Sequence, residues 1–488
     1  MKRILRTAIM ILGLAGGAYF AGAGVPAADA AGLRAAVTAA EQLGLNDEPA
    51  AQFVVPKPVP APRAGTTRPA PVKEWTVMVF MNGNNDLMPY VSYDLGQISS
   101  AGTTAAVNMV VEMGLANWNG KGSVTFRMLV KKGAPDKPNT VVYNSWANRD
   151  MGDYRNVVDF AQWAKRNFPA KRYLLVIENH GGGVDDAVMQ KPAAAKGISY
   201  DHVSYNYIKT PQLRQMMKEI GKVDIFLMAA CEMQMAEVGY EIRDYADIVV
   251  GSENTDHGFA FLYKEKLSAL AKTPKASNAA IAAAFVEQHR KFYSGDTILN
   301  PLYGVPVPTT LMGHTLSAIK AASFNGLPAR LNAWTAAVRA ANEPAAIKYA
   351  VENVLRFGPM NSKTKLFNTY ADLGHFVKLV SGRSRSSAVK AAEGELADYI
   401  TNDLVIAQYG AKKTEFYDYA NATGISIKMA MLFSKPIQEA VPGWDKLFLT
   451  KYQDLSLSRD SGWDEFLVWV QKTYNAASAA AAPARNTR

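Results

Sequence analysis

Two apolar runs in this chain of 488 residues each end at a chemically reactive side chain. Residues 173–179 (YLLVIEN) lead into His180 and three glycines, and residues 223–230 (VDIFLMAA) lead into Cys231. Runs of this length, bounded by turn or helix signals, are typical of buried parallel strands. Because open α/β sheets bind ligands at the carboxyl ends of such strands, we expect the imidazole and the thiol at one sheet edge. The pattern predicts a nucleophile–base pair.

Strands and helices alternate through residues 74–274, which we interpret as the catalytic core. This alternation predicts a mostly parallel sheet with helices on both faces. Residues 275–475 have mainly helical spacing, and residues 476–488 form an Ala-rich tail that we expect to be disordered. The predicted strands are 75–81, 107–112, 124–130, 173–179, 223–230, 246–250 and a short segment at 424–428; helices are predicted at 157–168, from Thr210, and at 234–245, 278–292 and 388–400.

The amino terminus has the pattern of a secretory signal. Lys2, Arg3 and Arg6 precede an apolar stretch at about 8–21, and Ala28-Asp29-Ala30 offers a cleavage site, so residues 1–30 are predicted to be a signal peptide. The stretch is short and contains glycines, which disfavours a permanent membrane span. Residues 31–73 are interpreted as a Pro-rich spacer. We therefore expect a secreted or periplasmic protein, and no cysteine near the cleavage site is available for lipid attachment.

The cysteine count and the charge exclude other classes. Cys231 is the only cysteine, so the fold has no intramolecular disulfide. Of the net charge of +10, six units lie in residues 1–73 and 485–488. The remaining basic residues are scattered and no aromatic run interleaves them, so nucleic-acid binding is not predicted.

Peptide hydrolysis by cysteine requires a thiolate, a proton carrier for the leaving amine, and donors for the developing oxyanion. Cys231 and His180 supply the first two. The backbone N–H groups of Gly181 and Cys231 are the candidate oxyanion donors. We expect a nearby imidazolium and the amino terminus of the following helix to lower the pKa of the Cys231 thiol.

Beyond these two sites, the sequence resembles the clostripain-like cysteine peptidases, family C11 of the caspase-like clan. The resemblance runs in order from about residue 74 to 430, and the His-Gly and Ala-Cys blocks are its most specific parts. It implies a caspase-like three-layer α/β/α core, polypeptide substrates, and a His180–Cys231 dyad without a required third acid. The matching segments are 75–79 with 85–87, 151–153, 170–183, 197–201, 230–233 with 237–238, 251–253, 370–373 and 422–426.

One position departs from the family pattern, which has an aspartate two residues before the nucleophile, in the pocket for a basic P1 side chain. Here that residue is Ala229. An unpaired cation in such a pocket is costly, so a preference for Arg or Lys is in doubt. In the segment that begins at Ser252, also assigned to substrate binding, Glu253 and Asp256 are either substitute charges or solvated loop acids. Without a substitute, a neutral P1 residue is expected.

The loop 184–205 carries two further family-based expectations. Relatives are often activated by cleavage between the His and Cys blocks, where Lys191 and Lys196 lie. Some relatives need calcium, for which Asp185 and Asp186 offer carboxylates, although adjacent loop acids are usually only solvated. No cofactor or metal site is otherwise expected, and the sequence leaves the oligomeric state open.

Other hydrolase classes lack their motifs. A lipase or esterase requires a G-x-S-x-G elbow, which does not occur in the chain. A metal hydrolase is disfavoured because the six histidines include no H-E-x-x-H and no tight ligand spacing. The remaining alternative is an inactive, peptide-binding envelope protein on the same fold.

Overall fold

The structure is a computed structural model that describes residues 59, 72–117, 122–184, 197–309, 313–358, 369–411, 418–430 and 452–480. The predicted signal peptide, most of the predicted spacer, residues 481–488, and the acids and lysines of the 185–196 segment lie outside these ranges.

The strands, in chain order, are β1 (Lys73–Gly83), β2 (Val107–Ala116), β3 (Ser123–Ala134), β4 (Lys137–Ala147), β5 (Ala170–Glu178), β6 (Ile198–Asp201), β7 (Asn206–Ile208), β8 (Val223–Ala229), β9 (Ala246–Gly251), β10 (Thr297–Asn300), β11 (Val305–Pro308), β12 (Thr315–Lys320), β13 (Arg356–Phe357), β14 (Tyr370–Asp372), β15 (Val405–Gly410) and β16 (Ser426–Lys428).

The α-helices are α1 (Met88–Ala101), α2 (Tyr154–Asn167), α3 (Thr210–Ile220), α4 (Ala236–Ile242), α5 (Tyr263–Lys272), α6 (Asn278–Tyr293), α7 (Leu327–Ala341), α8 (Pro344–Asn353), α9 (Leu373–Arg383), α10 (Ser387–Asp398), α11 (Ser456–Asp460) and α12 (Trp463–Ala480). The predicted helices and strands are present, with ends shifted by a few residues.

Nine strands form one sheet in the order β15-β12-β9-β8-β5-β1-β2-β3-β4. The five central strands, β9 to β2 in this order, are parallel. The outer strands on both sides are antiparallel to their neighbours. The carboxyl ends of the five parallel strands therefore meet at a single edge of the sheet.

Side chains on both faces of β1 are buried, as expected for a central parallel strand. Val77 and Val79 face an apolar cluster with α1, α5 and α6. Met78 and Phe80 face the opposite cluster, which includes side chains of α2, α3 and α4. The molecule thus has the predicted three-layer α/β/α arrangement.

The sheet extends beyond residue 274, the predicted end of the catalytic core. The strands β12 and β15, which lie beyond it, pair with β9 and with each other. The rest of the C-terminal region is largely helical and packs around Trp334, Trp463 and Phe466.

Helix α12 continues to Ala480, so the predicted disordered tail begins too early at 476. Alanine has the highest helix propensity, and this Ala-rich stretch extends a packed helix.

Within the described ranges, no helix combines the length and the apolar content that a membrane span requires.

Candidate active site

The loops that carry His180 and Cys231 follow neighbouring parallel strands. At the end of this pair, Glu178 of β5 is in register with Ala229 of β8, and the Asn179 N–H donates to the Ala229 carbonyl oxygen at 3.2 Å. Beyond the strands, a Cβ placed on Gly181 would lie 2.2 Å from the Cys231 carbonyl oxygen. Only glycine allows this approach. The structure thus brings the His and Cys loops into contact at the carboxyl edge.

The Cys231 loop is also held to the segment that follows β9. The Glu232 N–H donates to the Asn254 carbonyl at 3.0 Å, and the Gln234 N–H donates to the Ser252 carbonyl at 2.9 Å. Glu232 adopts a left-handed φ of 57°, a conformation that costs energy for a side chain with a Cβ. The residue after the nucleophile candidate therefore lies in a sharp turn that its neighbours maintain.

The sulfur of Cys231 contacts the backbone of Asp256. The Asp256 N–H donates to Sγ at 3.3 Å, and the thiol lies 3.6 Å from the Asp256 carbonyl oxygen. Although the residue is partly open to solvent, burial among surrounding atoms raises the thiol pKa to about 12; hydrogen bonds from the backbone of Asp256 and Gly181 partly oppose this rise. The resting thiol is therefore protonated at neutral pH.

The expectation that the thiol pKa is lowered is wrong for this state. Helix α4 begins only at Ala236, so its amino-terminal partial charge is several residues from Cys231. His180 does not compensate, because its Nε2 is hydrogen bonded to Asp86 Oδ1 at 2.8 Å. Burial is therefore the dominant influence on the pKa of the Cys231 thiol.

Asp86 is a residue of the candidate site to which the sequence analysis assigns no role. It lies just beyond β1, the strand next to β5, and both His180 and His202 approach its carboxylate, at 2.8 and 4.0 Å. Desolvation opposes its ionisation, but the hydrogen bond from His180 and the charges of both imidazoles prevail and lower the Asp86 pKa. The ionised carboxylate fixes the orientation of the His180 ring. In the sequence this residue is marked by the polar turn that follows the predicted strand 75–81, but residue spacing does not encode that this strand is the neighbour of the histidine strand.

Asn179 anchors the backbone directly before His180. Its Nδ2 donates to the Asn82 carbonyl at 2.5 Å, and its Oδ1 accepts from the Tyr200 N–H at 2.7 Å. Asn84 Nδ2 donates to Asp201 Oδ2 at 2.8 Å, and this bond joins the end of β1 directly to the end of β6. All four side chains in this network, those of Asn82, Asn84, Asn179 and Asp201, are buried. These hydrogen bonds therefore fix the ends of β1, β5 and β6 relative to one another, next to Asp86 and His180.

The residues predicted to bind substrate are mostly buried. Ala229 packs in the apolar cluster that includes α5 and α6 side chains. Ser252 Oγ lies 3.3 Å from Thr315 Oγ1 within the interior. Glu253 and Asp256 are also buried, so the interpretation as solvated loop acids is wrong.

Neither of these two acids is a strong counter-charge at neutral pH. Burial and the neighbouring carboxyl of Asp372 raise the Glu253 pKa well above its usual value. Burial raises the Asp256 pKa to about 7, although the positive charge of Lys266 opposes the rise. The protonated forms of both groups are thus favoured by their surroundings.

Glu178 is a further buried acid that the sequence reasoning did not single out. Since it is in register with Ala229 on adjacent parallel strands, the two side chains lie on the same face of the sheet. Burial raises the Glu178 pKa to about 8, while interactions with Tyr263 and Asp94 oppose the rise. Asp94 is buried as well, and its pKa is raised by burial and by Glu178. The carboxyls of Glu178 and Asp94 therefore form a buried acid pair on the face of the sheet that also carries Ala229.

The clostripain family model matches residues 79–469. Clostripain of Hathewaya histolytica is 28% identical over 125 residues, which span only 23% of this chain and 23% of that relative.

Two solved structures have the same fold. An inactive zymogen C11 protease from Parabacteroides distasonis has a TM-score of 0.56 and 18% identity, covering 80% of this chain and 99% of that one. A secreted C11 cysteine protease from Bacteroides thetaiotaomicron, in complex with an irreversible peptide inhibitor, has a TM-score of 0.54 and 20% identity, covering 80% and 100%. These likenesses support the caspase-like α/β fold. Since the family match extends over most of the chain, the protein belongs to the clostripain family, the C11 cysteine peptidases.

Proposed function

We propose that this protein is a cysteine endopeptidase in which Cys231 is the nucleophile and His180 the proton carrier. The observation that carries the proposal is the close contact of the two loops at Gly181 and Cys231, at the edge where adjacent parallel strands end. This position suits acyl transfer, because the two residues follow the carboxyl ends of adjacent parallel strands, the edge at which open α/β sheets bind ligands.

In the proposed reaction, the Cys231 sulfur attacks the scissile carbonyl carbon while its proton passes to the His180 imidazole. The N–H groups of Gly181 and Cys231 stabilise the resulting oxyanion. His180, oriented by Asp86, then protonates the leaving amine, and the C–N bond breaks to give a thioester. His180 deprotonates the water that hydrolyses the thioester, and the same proton then passes to the departing Cys231 sulfur, which releases the acid product and restores the thiol.

A neutral P1 residue is the specificity we propose. Ala229 offers no charge, and Glu178, Glu253 and Asp256 are buried with raised pKa values. A P1 arginine or lysine would thus meet carboxyls that are held toward their neutral forms. Digestion of a peptide library with varied P1 residues tests this: a dominant preference for Arg or Lys would contradict it.

We also propose that the protein is exported, and not lipid-anchored, after cleavage near Ala30. The support is the charged and apolar pattern of residues 1–30, together with a C11 relative that is described as secreted. Amino-terminal sequencing of the protein recovered from culture medium and periplasm tests the proposal. A mature protein that still begins at Met1 in the cytoplasm would contradict it.

A second candidate is a binding protein that retains the fold without catalysis. The protonated resting thiol favours this alternative. The test is hydrolysis of the library by the wild type, with Cys231→Ala and His180→Ala as matched variants. Hydrolysis that both substitutions abolish supports the peptidase. Peptide binding without hydrolysis, unchanged in Cys231→Ala, supports the binding protein.

A further inference from the structure

Three potential metal ligands meet at Asp256, the residue whose backbone contacts Cys231. Asp256 follows β9, His289 lies on α6, and His314 directly precedes β12. One ligand atom of each residue lies within 4.8 Å of the others, and His314 Nδ1 is 3.7 Å from Asp256 Oδ1. The two imidazole ring centroids are 4.5 Å apart. Three elements distant in sequence thus direct nitrogen and oxygen donors toward one small volume.

The two imidazoles are fully buried and poorly hydrogen bonded. Among the described residues, neither ring nitrogen of His289 has a hydrogen-bond partner, and His314 meets the backbone of Thr255 and, at 3.7 Å, the Asp256 carboxylate. The backbone of Thr255 is close enough to favour the protonated form of His314, but burial dominates and lowers the pKa of both rings well below the usual value. Neutral imidazoles have a free lone pair. Buried polar atoms without a partner indicate a missing one.

The donor set identifies the kind of partner. Two neutral imidazoles and one carboxylate are typical of zinc sites with an additional open position, whereas calcium and magnesium prefer oxygen ligands. We propose that Asp256, His289 and His314 bind a divalent transition-metal ion, with Zn²⁺ as the best match. This inference is independent of the proposed peptidase activity.

Lys266 is the group that opposes a cation here. It is buried, and its positive charge acts on all three ligands. Burial lowers the Lys266 pKa to about 8, although Asp256 and Asp94 oppose this effect.

The site is coupled to the nucleophile through one residue. The backbone N–H of Asp256 donates to Cys231 Sγ at 3.3 Å, while the Asp256 side chain belongs to the metal cluster. An ion that fixes the Asp256 carboxylate thus also fixes the backbone that contacts the sulfur.

The test is metal titration of the mature protein after removal of metals by chelator. The expected result is one equivalent of Zn²⁺ in the wild type, with at least a tenfold loss of affinity in His289→Gln and in His314→Gln. Thiol–imidazole pairs also bind zinc, so the double variant Cys231→Ala/His180→Ala is the matched comparison and should retain the ion. His202→Gln, which changes a histidine near Asp86 and outside the cluster, should retain it as well. Loss in the double variant with retention in His289→Gln would overturn the proposal.

Cobalt provides a readout that needs no variant at the cluster. Co²⁺ bound to the folded wild type should give visible d–d bands of a low-coordinate nitrogen and oxygen site without thiolate charge-transfer absorption. A thiolate charge-transfer band, or no bound cobalt, would also overturn the proposal.

Discussion

His180 Nε2 is hydrogen bonded to Asp86 Oδ1 at 2.8 Å, while the Cys231 thiol contacts the backbone of Asp256. Each member of the proposed dyad thus has its own partner in the unliganded molecule. This suits a mechanism in which the histidine acts across the substrate, because its proton goes to the leaving amine and not to the sulfur. The orientation of the ring then depends on Asp86.

Asp86→Asn is expected to lower kcat for peptide hydrolysis by about 10²-fold with little change in KM. The loss is smaller than the roughly 10⁴-fold effect at the buried aspartate of a serine-protease triad, since the Asp86 side chain is half exposed. Asp153→Asn is the matched control: the Asp153 side chain caps α2 and hydrogen bonds with Arg155, asparagine keeps a good N-cap, and kcat should be unchanged. An unchanged kcat in Asp86→Asn would show that the carboxylate does not position His180.

The thiol of Cys231 should react slowly with small alkylating reagents at neutral pH. With a pKa of about 12, raised by burial, the thiolate fraction increases about tenfold for each pH unit between pH 7 and 9. Because Cys231 is the only cysteine, mass spectrometry after iodoacetamide treatment reports this site alone. A rate that reaches a plateau below pH 8 would mean that the resting site already stabilises the thiolate.

Glu178→Gln should make the protein more stable at pH 8 than the wild type, but not at pH 4. Burial raises the Glu178 pKa from 4.5 to about 8. The folded state therefore retains a proton that the unfolded state loses, and the wild type loses stability as the pH rises from about 4.5 to 8. Glutamine cannot ionise, so we expect a gain of about 2–4 kcal/mol at pH 8 in urea unfolding.

The control for this change is Glu287→Gln. The Glu287 side chain is 39% exposed, and its hydrogen bond with Arg290 lowers its pKa, so its removal should alter the pH profile little and in the opposite direction. If the Glu178→Gln and wild-type profiles are parallel between pH 4 and 8, the glutamate is ionised in the folded protein.

The positions of His180 and Cys231 could be predicted because local information is sufficient for them. Each follows an apolar run that reads as a buried strand, and parallel strands in one sheet end at the same edge. The role of Asp86 could not be predicted in this way. It depends on β1 being the neighbour of β5, a pairing between distant segments that residue spacing does not encode.

Residue spacing also does not encode which strands border the sheet, or which ionisable groups the fold buries. The strands β12 and β15 are six residues each and lie among helices, and only their pairing with β9 and with each other makes them part of the sheet. The raised thiol pKa and the buried state of Glu253 and Asp256 depend on packing from several elements. A sequence reading treats loop acids as solvated, whereas here the surrounding fold covers them.

The contact between the two active-site loops leads to the last prediction, Gly181→Ala. The added Cβ would lie 2.2 Å from the Cys231 carbonyl oxygen, a backbone atom that cannot rotate away, so the loops must separate. A displacement of about 1 Å in a catalytic group can cost about 10²-fold in rate, and we expect at least that loss in kcat/KM. Gly394→Ala is the control. It lies within α10 with no atom within 4 Å of the new Cβ, so alanine should stabilise that helix by about 0.5–1 kcal/mol and leave the rate unchanged. Near-UV circular dichroism establishes that both variants are folded, and a folded Gly181→Ala protein with the wild-type rate would rule out the proposed close approach of the two loops.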